Sequence, residues 1–77
     1  MSKLPIISAA QMVKILKHLG FSFVRQSGSH AYYRHPDGRA VVIPMHKGED
    51  LGRGLIRAIL REIDIDIAQY EKLRREV

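Results

Sequence analysis

Cysteine is absent from the 77 residues, so neither a disulfide framework nor a thiolate zinc site holds this fold together. No apolar run is long enough to span a membrane, and Met1-Ser2-Lys3-Leu4-Pro5 does not open a secretory leader, so a cytoplasmic protein without membrane attachment is expected. Repeats, linkers and low-complexity stretches are missing too, and a chain this short is expected to make a single domain over residues 1–77 with one modest core. Such a core leaves little room for an internal cofactor, and none is expected. Acidic residues are scarce where basic ones gather: residues 1–49 hold seven Lys and Arg against two Asp and Glu, while residues 50–77 hold six of each. Asp37 and Glu49, the two acids of the basic half, are not spaced for paired-carboxylate catalysis. Gly48 to Gly54 is glycine-rich but lacks the Gly-Lys-Ser/Thr ending of a phosphate-binding P-loop.

What is present is a net charge of +5 concentrated in the first half, which suits a nucleic acid, an anionic membrane or an acidic protein as partner. Ser8 and Gln11 form a capping-box pattern, and Ala9, Met12, Val13, Leu16 and Leu19 recur at helical spacing until Gly20, predicting a helix over Ala9 to Leu19. Phe21 to Ser27 reads as a strand, Gly28-Ser29 as a two-residue hairpin turn, and His30 to Arg34 as the returning strand. Pro36-Asp37-Gly38 marks a second turn before the β-branched strand Ala40 to Ile43, which Pro44 ends. Asp50 is the expected cap of a second helix over Leu51 to Ile63, with Gly52 and Gly54 loosening its start. Asp66 and Gln69 predict a short last helix from Ile67 to about Arg75. The fold class is therefore α+β, with two main helices packed on one face of a three-stranded antiparallel meander.

Candidate chemistry gathers on the opposite sheet face. Pairing Ser27 with His30 and Arg25 with Tyr32 places His30, Tyr32, Arg34, Arg25 and Ser27 together, and Ala31, Tyr33 and Val24 toward the core. Phe21 and Phe23 break that alternation, so a bulge or twist is expected near the start of the first strand. His30 begins a strand among arginines, where an imidazole can act as acid or base beside a phosphodiester. His18, His30, His35 and His46 match no closed zinc spacing, so no metal site is expected. His18 suits the negative end of the first helix, His35 belongs to the turn before Pro36, and His46 with Lys47 either reaches an anion or is solvated. Arg53, Arg57 and Arg61 line one face of the second helix, more commonly a charged outer face than a phosphate-tracking stripe.

Leu19-Gly20-Phe21, Arg25-Gln26, Gly28-Ser29-His30, Tyr33-Arg34-His35-Pro36, Val42-Ile43-Pro44-Met45-His46, Leu51-Gly52-Arg53-Gly54 and Ile65 to Tyr70 follow one another in an order that resembles the HicA (YcfA-type) toxins of toxin–antitoxin pairs. The resemblance covers nearly the whole chain. It implies a double-stranded-RNA-binding-domain-like fold and a metal-independent endoribonuclease that cleaves mRNA and arrests translation. It also implies that His30 is catalytic, that Gly28 forms the turn, and that a HicB-type antitoxin covers the His30 face. Arg25, Ser29, Tyr32, Arg34, His46 and Lys47 are the candidates for RNA binding or phosphate positioning. The rival expectation is a noncatalytic RNA-binding module of the same fold, since fold alone does not define function.

Overall fold

The computed structural model describes residues 4–77, so the reading of residues 1–3 as part of a chain without a leader lies outside the described residues. The elements are α1 (Ala9–His18), β1 (Ser22–Ser27), β2 (His30–Arg34), β3 (Ala40–Pro44), α2 (Arg53–Glu62) and α3 (Ile67–Glu76). This is the expected α+β layout, with the antiparallel sheet in the order β1-β2-β3.

Local chemistry sets the helix ends. Ser8 Oγ accepts from the Gln11 N–H at 3.2 Å while Gln11 Oε1 accepts from the Ser8 N–H at 3.1 Å, the reciprocal capping box read in the sequence. At the other end of α1 the Phe21 N–H donates to Leu16 O and the Gly20 N–H to Lys17 O, a Schellman closure that needs the left-handed φ of +100° at Gly20. That closure pulls Phe21 into the core, so β1 starts at Ser22, one residue later than expected. α2 closes in the same way through Ile65 to Leu60 and Asp64 to Arg61, with Asp64 rather than glycine at a φ of +59°. α3 is capped by Asp66, whose carboxylate accepts from the Gln69 N–H at 2.8 Å.

The start of α2 corrects the sequence reading. Asp50 does not cap it; Gly52 is the N-cap, with no side-chain hydrogen bond, and the helix begins at Arg53. The cause is tertiary. Asp50 bridges to Ser8, and the Leu51 N–H donates to Ile7 O at 2.8 Å, so this segment is held extended against residues 7–8 with Leu51 buried.

The core lies between the helices and one sheet face. Met12, Ile15 and Leu16 of α1, Ile56 and Ile59 of α2, and Ile63 after it pack with Ala31, Tyr33, Val41 and Ile43 from β2 and β3. Each large aliphatic side chain among them contributes about 1.5–3 kcal/mol by leaving water. α3 joins this core through Leu73 and the fully buried Tyr70, whose hydroxyl donates to Pro5 O at 2.6 Å.

β1 is different, for all six of its residues are exposed. The anticipated bulge is there: Phe23 pairs with Tyr33 and Arg25 with Tyr32, leaving Val24 as the extra residue. Val24 is therefore not on the core face as alternation suggested; it is 55% exposed and lines the outer face beside Arg25, Tyr32 and Arg34. Phe23 takes the helix-side position instead, edge-on to Tyr33 with ring centroids 5.7 Å apart, and stays 52% exposed because β1 overhangs the core.

Candidate nucleic-acid interface

The outer sheet face is built by the β1–β2–β3 register. His30 opens β2 between Ser27 of β1 and Pro44 of β3; Tyr32 stands two residues further on between Arg25 and Val42; Arg34 follows between Ser22 and Ala40. The buried faces of the helices pack on the opposite side, and only Glu62, from the last turn of α2, reaches the hollow here. The sequence placed His30, Tyr32, Arg34, Arg25 and Ser27 on one face, and the register brings them together there.

Gly28 and Ser29 form the hairpin tip. Gly28 has a φ of +58° and Ser29 does not have a positive φ, the signature of a type II′ turn, in which the first position calls for glycine. Gln26 Nε2 donates to Gly28 O at 3.0 Å, and the Met45 N–H donates to Ser29 O, so the tip is tied to the chain leaving β3. His30 is exposed, and no hydrogen bond or ion pair engages its imidazole among the described residues.

Tyr32 is half-buried in the floor of the face, and the Arg25 guanidinium carbon lies 4.1 Å from its ring centroid, a cation–π stack. A shallow hollow of about 360 Å³ here is lined by Val24, Arg25, Tyr32, Arg34, Val42 and Glu62, and also by Ala40 and by the core-side Tyr33 and Val41. Val24, Val42 and Glu62 were not among the sequence candidates. Strict alternation along β3 points to Val42, whereas Val24 needs the bulge and Glu62 needs the packing of α2.

His46 and Lys47 do not join this hollow. They line a separate cleft of about 300 Å³ with Ser8, Ala9 and Ala10 at the first turn of α1, at the same end of the sheet as the hairpin tip. Among the described residues no cluster of three or more His, Asp or Glu is arranged to hold a metal ion. No helix there is long and apolar enough to cross a membrane.

The remaining sequence candidates have structural partners. His35 is half-buried: its Nε2 lies 3.2 Å from Leu19 O, and its Nδ1 lies 3.1 Å from the Asp37 backbone nitrogen and 3.0 Å from Asp37 Oδ1. Asp37 binds the Arg39 N–H and Nε, and the first of these hydrogen bonds, aided by the Arg39 guanidinium and His35, holds its carboxyl below the ordinary carboxylate value. Arg39 also donates to Ile63 O and lies 5.2 Å over the Phe21 ring, joining the β2–β3 turn to the ends of both main helices. Arg53 donates to Leu4 O at 2.9 Å, so the α2 stripe is partly structural.

Fold and face together define a class: a small helix–sheet–helix domain whose uncovered sheet face presents arginines, an aromatic ring and an unengaged histidine. The chain belongs to the HicA toxin family, since the family model described as the HicA toxin of bacterial toxin–antitoxin matches residues 9–65. No curated protein matches the chain significantly. The protein is thus a toxin-family member, with an antitoxin as its implied partner.

Proposed function

We propose that this protein is a metal-independent endoribonuclease that cuts mRNA in the cytoplasm and so arrests translation, with His30 as its general acid–base. The observation that carries the reading is an exposed, unengaged imidazole at the start of β2, on a basic open sheet face within the family-matched segment. Residues 1–77 act as one unit in this reading.

The chemistry uses the substrate's own nucleophile. His30 takes the proton from a ribose 2′-hydroxyl, the 2′-oxygen attacks the adjacent phosphorus, and the bond to the 5′-oxygen breaks. The products are a 2′,3′-cyclic phosphate and a strand whose 5′-oxygen takes up a proton. One positioned proton-transfer group contributes about 10²–10⁴-fold, so the enzyme is slow beside ribonucleases that use two. Arg25 and Arg34 hold the phosphate and offset its developing charge, and Tyr32 stacks on a base. Gly28 and Ser29 set the tip that presents His30. His46 and Lys47, across the Ser29–Met45 hydrogen bond, bind RNA flanking the cut. A HicB-type antitoxin silences the toxin by covering the His30 face.

The test compares wild type with His30→Ala for binding and cleavage of one long mRNA in EDTA. Cutting by wild type alone, with similar binding by both, is the expected result. Binding by both proteins with cutting by neither would sink the enzyme and leave a noncatalytic RNA-binding module.

A further inference from the structure

We infer that the hollow beside Tyr32 is a nucleobase pocket that selects guanine for the nucleotide next to the one being cut, with Glu62 as the specificity-determining residue. The inference rests on the ribonuclease reading for the RNA strand and its phosphate at His30; the hollow beside Tyr32 is a feature of the fold. Tyr32, Val24 and Val42 are among the residues that line it, and the Arg25 guanidinium carbon lies 4.1 Å from the Tyr32 ring centroid. Aromatic rings and guanidinium planes are the two surfaces on which proteins stack unpaired bases. The volume, about 360 Å³, falls at the lower end of the range for small-ligand clefts.

Placement along β2 favours RNA over a protein side chain as occupant. His30 and Tyr32 lie on the same face two residues apart, roughly 6–7 Å at the rise of a strand. One nucleotide of an extended strand covers a similar distance, so a phosphate at His30 puts a neighbouring base at Tyr32. Arg25 and Arg34 flank the hollow and complement the sugar–phosphate chain on its way past.

Glu62 departs from the basic surroundings. It reaches the hollow from the last turn of α2 and makes no ion pair among the described residues, although Arg25 and Arg34 line the same hollow. A carboxylate repels phosphate, so its contribution is as an acceptor for base N–H groups. Guanine is the base whose Watson–Crick edge offers two adjacent donors, N1–H and the N2 amino group, which match the two oxygens of one carboxylate.

The test uses four single-stranded hexaribonucleotides, oligo(U) with G, A, C or U at one central position. Binding is measured to the His30→Ala chain, which leaves the RNA intact, with and without Glu62→Gln. The expected result is about ten-fold tighter binding of the G hexamer, lost in Glu62→Gln and partly kept in Glu62→Asp, with the Tyr32 ring resonances shifting on binding. Equal affinity for all four hexamers, or a G preference that survives Glu62→Gln, overturns the proposal and leaves the hollow to the antitoxin. Cleavage by the otherwise wild-type chain is scored separately. A Glu62-dependent G preference without cutting keeps the pocket and sinks the ribonuclease, whereas cutting with no base preference does the reverse.

Discussion

Gly20 is where one residue's backbone serves two purposes. Its φ of +100° closes α1, and a Cβ built there would stand 3.1 Å from His35 Nε2, the atom that meets Leu19 O. Gly20→Ala is therefore expected to cost about 1–3 kcal/mol through left-handed strain and displacement of the imidazole, read as a lower urea midpoint at unchanged slope. The sequence announced Gly20 as a helix stop, but not the imidazole packed over it. The same division holds for the histidines. Spacing alone put His30 at a strand start and His35 in a turn; which of them is free and which is tied up depends on Leu19 and Asp37, sixteen residues before and two after His35.

At the level of elements, β1 and α2 are where local reading fell short, and each suggests a change. α2 starts from Gly52, which has extended backbone, no side-chain cap and open space around the position of a Cβ. Gly52→Ser is expected to supply the missing cap and add a few tenths to about 1 kcal/mol, visible as a higher Tm. In β1, Val24 is the one residue in excess of the β2 register. Deleting it leaves Phe23 opposite Tyr33 and Arg25 opposite Tyr32 with regular alternation, so the variant should fold within about 1 kcal/mol of wild type and keep the Phe23–Tyr33 proton contacts in NMR spectra. The bulge itself was foreseeable because Phe21 and Phe23 broke the alternation. Its position was not, since pattern cannot say which residue a strand will leave unpaired, and so Val24 was assigned to the wrong face.

At the scale of the whole molecule, α3 lies beyond the family-matched segment yet closes the core through Tyr70, which is fully buried and tied to Pro5 O. Burial pushes the Tyr70 phenol above its ordinary 10.0, with Arg74 pulling it back and Glu71 adding to the rise. The folded state then holds this proton more tightly than the unfolded chain, so its contribution is intact below about pH 10 and is lost as pH climbs through the folded value. Tyr70→Phe should lower stability at neutral pH by about 1 kcal/mol for the lost hydrogen bond and flatten the alkaline limb of the unfolding profile, a pair of effects that denaturation at a series of pH values separates. By itself the sequence determined the element order, the capping box, the hairpin tip and the grouping of His30, Arg25, Tyr32 and Arg34, because each depends on neighbours in the chain or on the two-residue period of a strand. Only the tertiary structure decided that Asp50 bridges to Ser8, that Val24 turns outward, that His46 lines a different cleft and that Glu62 reaches the Tyr32 hollow. These depend on how separate elements meet, and no local pattern of residues encodes which atoms arrive where.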